Sequence, residues 1–220
     1  MPLPKATPEQ LAAASNEELA EYAGPALERL QRGRLPPAVF MPIRELTRPS
    51  TLDVIGFHAG THGERVLIGQ RGAEPGDRWW AGRRNITGSL VLPTEEGLEP
   101  IELRMADGRP VDLNGARVSQ DITTPADRIL RVELQGSVQR VAPVRELMTY
   151  WVDVPDRKIS EHKITSWTQV DLAPGHQEVI GGAFYDTERI INDPPENLVH
   201  GHAYFIERAA LALQAIEREQ

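Results

Sequence analysis

Leu147-Met148-Thr149-Tyr150-Trp151-Val152-Asp153-Val154, then Pro155-Asp156-Arg157-Lys158, then Ile159-Ser160-Glu161-His162-Lys163-Ile164-Thr165-Ser166-Trp167-Thr168-Gln169-Val170 is the stretch that decides the fold. Two runs rich in β-branched and aromatic residues flank a short polar break containing proline, the pattern of a β-hairpin. With Val154 opposite Ile159, Trp151 faces His162, Asp153 faces Ser160 and Thr149 faces Ile164, because opposite residues of an antiparallel pair share a face. That face combines an indole, an imidazole, hydroxyls and a carboxylate. The other, with Met148, Tyr150, Val152 and Val154, is at least as apolar.

Outward from this hairpin, residues 50–190 are a succession of short runs separated by Gly, Pro and Asp. Leu52–Phe57 and Arg65–Gln70 flank a glycine-containing loop. Ile86–Leu92 and Ile101–Met105 flank Pro93–Gly97, and Asp107-Gly108 signals a tight turn before Val111–Leu113. Ile129–Leu134 alternates, with Leu130, Val132 and Leu134 on one face, and Glu178–Tyr185 reads as a further strand bent at Gly181-Gly182. The expected fold is α+β: a large, mainly antiparallel sheet, barrel-like or a sandwich, with helical ends.

The ends carry helix signals. Thr7-Pro8-Glu9-Gln10 and Ser15-Asn16-Glu17-Glu18 are capping patterns, and Leu19, Tyr22, Ala23, Ala26, Leu27 and Leu30 keep one apolar stripe. Residues 1–35 therefore read as a helical arm. At the other end, Asp193-Pro194-Pro195-Glu196 predicts an amphipathic helix over 194–220. Leu198, His202, Phe205, Ile206, Ala209, Leu213 and Ile216 fall on one side, and Tyr204 and Leu211 lie away from it. A helix apolar on more than one side suggests a homodimer. The whole, residues 1–220, reads as a single domain with a β-rich body over 50–190.

Composition excludes several classes. The chain has 220 residues, 40% hydrophobic and 25% charged, which is ordinary for a globular protein and unlike a disordered one. A formal charge of −8 disfavours nucleic acid as a partner, and no run reaches the length of a membrane span. No cysteine is present, so disulfides, thiol nucleophiles and thiolate zinc sites are excluded. With no signal-peptide pattern at the N-terminus, the expected location is cytoplasmic.

Three groups of residues are candidates for function. The hairpin face offers His162 and Asp153 as acid–base residues, with Trp151 and Thr149 lining a ligand cavity in the β body. The loop Arg78-Trp79-Trp80-Ala81-Gly82-Arg83-Arg84 offers Trp79, Trp80, Arg83 and Arg84 for stacking and anion recognition. The histidines His58, His62, His200 and His202 are the ligands a metal site would draw on, although none is favoured. In a continuous helix His200 and His202 sit about 200° apart and cannot share an ion, so they act together only if the helix begins after Gly201.

Two family patterns fail on inspection. His200, His202 and Glu207 resemble the His-x-His…Glu ligands of cupin barrels, but cupins carry them on strands and have a second motif missing here. Val66–Arg71 resembles the opening strand of a Nudix hydrolase, but the defining helix with paired metal-binding glutamates has no counterpart. Arg145-Glu146-Leu147 copies a fragment of it, followed by Met148-Thr149-Tyr150-Trp151 in place of acids. Nucleophile elbows, phosphate loops and dinucleotide fingerprints are absent as well.

The functional expectation is a small-molecule-binding protein doing acid–base chemistry of the isomerase, cyclase, hydratase or lyase type on an organic substrate. The alternatives are a non-catalytic interaction factor using the Trp79–Arg84 loop, and a histidine-ligated metal enzyme. The sequence names no cofactor.

Overall fold

The computed structural model describes residues 50–72, 81–90, 102, 104, 105, 108–111, 121–154, 159–199 and 201–219. All belong to one compact unit, Arg44–Gln220. The arm expected over 1–35 lies outside the described residues, as do Trp79 and Trp80 and, of the runs expected around 101–105 and 111–113, Ile101, Leu103, Asp112 and Leu113.

The elements in chain order are β1 (Ser50–His58), β2 (Arg65–Gln70), β3 (Arg84–Asn85), β4 (Thr87–Leu90), α1 (Thr123–Glu133), β5 (Val138–Arg140), β6 (Arg145–Val154), β7 (Ile159–Leu172), β8 (Gly182–Asp186), α2 (Thr187–Asn192) and α3 (His202–Glu219). Among the described residues the strands form one eight-stranded sheet. At its centre β1 and β7 run parallel in unbroken register, from Ser50 beside His162 to His58 beside Val170. Every other pairing between these strands is antiparallel, and a single parallel bridge joins Arg84 to Leu198.

The β1–β2 hairpin opens beyond the Phe57–Val66 pair. The segment Arg84–Leu90 fills the opening, pairing first with Gly69 and Gln70 of β2 and then with Thr51–Val54 of β1. β8 borders β2 on its far side, while β5 and β6 share the far side of β7.

The expected barrel or two-sheet sandwich is corrected by this arrangement. Among the described residues the sheet does not close on itself, and helices rather than a second sheet cover its faces. The physical reason is in β1, where every residue of Leu52–Phe57 is buried. Such a strand sits in the middle of a sheet covered on both sides. On one face Ile55, Phe57, Val66, Ile68, Ile86 and Trp167 pack under Ile206, Ala209, Ala210 and Leu213 of α3, with Ile190 of α2. On the other, Leu52, Val54, Leu67 and Val170 pack under Ala126, Ile129 and Leu130 of α1.

Two further corrections concern helices. Ile129–Leu134, expected as a strand, lies mostly within α1. The buried residues Ala126, Ile129, Leu130 and Leu134 have helical three-and-four spacing, whereas Val132, on the expected inner face of a strand, is 55% exposed. The Asp121 carboxylate starts this helix by accepting from the Thr123 and Thr124 amides at 2.7 and 3.4 Å and from the Thr124 hydroxyl at 2.7 Å. The C-terminal helix begins at His202, not at 194. Asp193 instead closes α2, whose own cap is Asp186, accepting from the Arg189 amide at 2.7 Å. Gly201, at φ +85°, supplies the left-handed turn into α3.

Candidate functional site

The hairpin register expected from the sequence is the one observed: Val154 opposite Ile159, Trp151 opposite His162, Asp153 opposite Ser160 and Thr149 opposite Ile164. A bulge between Glu146 and Met148 precedes the regular part. Because side chains alternate, β6 and β7 present different chemistry to the two faces of the sheet.

On the α1 side, the Trp151 ring lies 4.7 Å from the His162 ring, tilted by 44°. Ser50 Oγ is 3.4 Å from His162 Nδ1, and the Thr149 hydroxyl donates to Glu146 at 2.7 Å. Trp151 is 63% exposed.

On the α3 side, the register sets residues in rows across the strands. Ile55 beside Trp167 is the apolar row beneath α3. The next row runs from Gly88 to Asp53, Thr165 and Met148, and the one after from Leu90 to Thr51, Lys163 and Tyr150. Asp53, Thr51 and Thr165 are all buried. Lys163 Nζ reaches Asp53 Oδ2 at 3.1 Å, an ion pair whose two side chains are 22% and 9% exposed. Desolvating such a pair is costly, so its presence under a helix invites a functional explanation.

Neighbouring groups fit around this pair. A Cβ at position 88 would run into Asp53 Oδ1, so glycine there makes room for the carboxylate. The Thr165 hydroxyl is 3.5 Å from the Tyr150 phenol oxygen, and the Thr51 hydroxyl is buried without a protein partner. Burial, only partly opposed by the Thr165 contact, raises the Tyr150 pKa, so the phenol keeps its proton. Tyr150 stacks on Phe205 of α3 with ring centres 5.3 Å apart, and Tyr204 meets Phe205 edge-on at 5.5 Å.

His202, the first residue of α3, closes the site. Its Nδ1 accepts the Ile86 amide at 2.9 Å, so a neutral ring carries its proton on Nε2. Burial lowers its pKa to about 4; Asp53 opposes this, while Lys163 and Arg71 add to it. The site therefore sets a protonated phenol and, at neutral pH, an uncharged imidazole beside the Asp53–Lys163 ion pair.

The other sequence candidates are scattered. His58 Nε2 lies 3.5 Å from Asp171 and His62 Nδ1 3.3 Å from Glu217, so the structure does not bring them to His202. His200 lies outside the described residues. The Arg83 carbonyl accepts the Arg71 amide at 3.0 Å, and the Arg84 guanidinium sits over the Tyr185 ring at 5.1 Å. Among the described residues no group of three or more His, Cys, Asp or Glu is placed to hold a metal ion. Within α1 the acids are Asp127, both of whose oxygens are bonded by Arg140 at 2.7 and 3.0 Å, and Glu133. They are six residues apart and point in different directions, so this helix does not present a paired-carboxylate metal site.

Asp53 and Lys163 were not singled out by sequence reasoning. The usable signal was an acid inside the otherwise apolar run Leu52-Asp53-Val54-Ile55-Gly56-Phe57. Lys163 had none, because its place follows from a pairing between strands more than a hundred residues apart.

No family model and no curated protein matches the chain. Solved structures similar to it include the Nudix domain of Shewanella oneidensis NrtR complexed with ADP ribose, at 14% identity and TM-score 0.46, covering 95% of this chain and 99% of that one. A Nudix hydrolase from Nitrosomonas europaea is similar at 12% identity and TM-score 0.47, covering 76% and 90%. The E. coli ORF135 protein is similar at 15% identity and TM-score 0.45, covering 79% and 96%. Likenesses this distant carry no argument about activity.

Proposed function

We propose that the chain binds a small polar organic molecule at the end of α3, over Asp53, Lys163, Thr165 and Tyr150, and carries out acid–base chemistry on it. The supporting observation is the Asp53–Lys163 pair, held at 3.1 Å beneath a helix beside a protonated phenol and a neutral imidazole. Such a set of convergent polar groups at the border of an apolar layer is characteristic of ligand sites.

The roles follow from the charge states. Asp53 accepts a proton from the substrate. Lys163 and the Tyr150 hydroxyl stabilise negative charge developing on a substrate oxygen, and the His202 imidazole remains neutral as a hydrogen-bond donor. Oxo- and hydroxycarboxylic acids supply the oxygens these donors require, and isomerisation, hydration or elimination is the reaction class. His162, Trp151 and Thr149, first expected to act with Asp153, lie on the other face of the same ladder, and none of the four takes part in this scheme.

Saturation-transfer NMR with a panel of small oxo- and hydroxycarboxylic acids tests the proposal. Binding by the wild-type chain, lost in Lys163→Met and kept in Trp151→Ala and His162→Ala, is the expected result. Binding that survives Lys163→Met but disappears in the other two variants places the ligand on the opposite face, and no binding at all removes the proposal.

A further inference from the structure

Resting on the ligand site proposed above, we infer that Thr51 is its specificity residue, whose hydroxyl recognises an oxygen on the carbon beside the ligand's carboxylate. Thr51 is 8% exposed, and its Oγ1 is buried with no hydrogen-bond partner. Other hydroxyls of the central ladder are satisfied. Ser166 donates to the Asp53 carbonyl at 3.2 Å and Thr168 to the Ala142 carbonyl at 2.8 Å. A buried hydroxyl without a partner costs stability, and a partner that arrives with the ligand accounts for keeping it.

Position separates Thr51 from the other buried threonines whose hydroxyls lack a partner. Thr87 lies opposite Val54, on the α1 side of the sheet, and Thr187 opens α2. Thr51 stands on the α3 side, in the row it shares with Lys163 and Tyr150. Adjacent strands are about 4.8 Å apart, so Thr51 is the next position across the ladder from Lys163. A carboxylate oxygen and an oxygen on the neighbouring carbon are close enough together to bridge those two positions. A threonine hydroxyl donates to alcohol and ketone oxygens alike, so 2-hydroxy and 2-oxo acids both satisfy it. An acid without that second oxygen leaves the hydroxyl unpaired in a closed site and binds more weakly.

Calorimetric titration of the full chain with matched acids tests this: lactate against propionate, malate against succinate, and 3-phenyllactate against 3-phenylpropionate. The wild-type chain is expected to bind the hydroxy member of a pair about tenfold more tightly than its unsubstituted partner. Thr51→Val, of the same shape without the hydroxyl, should bring the two within about twofold, and Thr51→Ser should keep the preference. Without ligand, Thr51→Val should melt about 2–4 °C higher than wild type, because an unpaired buried hydroxyl has gone. Thr87→Val, which removes a similar hydroxyl on the other face, should also raise the Tm but leave the preference intact. A preference that survives in Thr51→Val, one lost equally in Thr87→Val, no preference in wild type, or a lowered Tm in Thr51→Val overturns the inference while leaving the ligand site standing. Binding of none of the six acids by wild type removes both.

Discussion

Lys163 Nζ lies 3.1 Å from Asp53 Oδ2 across the parallel β1–β7 ladder, with the carboxylate set over Gly88 of the next strand. Removing one partner leaves the other charge in a largely dry site. Asp53→Ala is therefore expected to destabilise the fold by about 2–4 kcal/mol. The Asp53→Leu/Lys163→Met double variant, which removes both charges, should recover most of that loss. Urea denaturation of the single and double variants measures both.

Gly88→Ala probes the same contact from the neighbouring strand. The added methyl meets Asp53 Oδ1 and approaches the Leu52 carbonyl at 3.1 Å, so the carboxylate must move. A loss of about 1–3 kcal/mol is expected in the wild-type background. In an Asp53→Ala background the loss should be smaller by about 1 kcal/mol, a coupling that a double-mutant cycle reads directly.

His202 sets a pH dependence. Its pKa is lowered to about 4 in the folded chain, mainly by burial, from an ordinary value of 6.5. Between those values the unfolded chain binds the extra proton. The stabilisation is therefore complete above about pH 6.5 and is lost as the pH falls towards 4, amounting to about 3 kcal/mol. His202→Asn, whose side-chain oxygen can still accept the Ile86 amide, should show a shallower loss of thermal stability over that interval. Equal slopes in the two proteins would show that His202 is not the group responsible.

Asp121 starts α1, so Asp121→Ala should cost about 1 kcal/mol. Burial pushes its pKa up, but the Thr124 hydroxyl and the Thr123 and Thr124 amides outweigh burial and hold it below the usual carboxylate value. Its contribution is thus present at neutral pH and disappears as the pH falls through that lowered value. Ile129→Ala, at a fully buried position of the same helix, should cost about 2–5 kcal/mol, and Val132→Ala close to nothing. The reverse order, with Val132 costly and Ile129 cheap, would fit a strand rather than a helix.

The β6–β7 hairpin was legible because local alternation on either side of a short proline-containing break in the sequence predicts its register without reference to the rest of the chain. The centre of the sheet was not. β1 pairs in parallel with β7, more than a hundred residues away, and no local pattern announces that partner. Helix α1 was hidden because buried Leu130 within it and buried Leu134 at its C-terminal cap also satisfy strand alternation through Val132, which faces outward. The candidate site shared that fate. Asp53 was visible as an acid inside an apolar run, but Lys163, Tyr150 and His202 join it only through long-range pairing and the placement of α3.

The central claim is that a ligand sits on the Lys163–Tyr150 face of the ladder rather than on the His162–Trp151 face. Titrating the isotope-labelled chain with a binding member of the carboxylic acid panel, and following the Gly88 amide, the Tyr150 ring and the Trp151 indole by NMR, tests it most directly. The Gly88 and Tyr150 signals should shift in proportion to occupancy while the Trp151 indole stays in place. Shifts confined to Trp151 and the His162 ring would contradict the account.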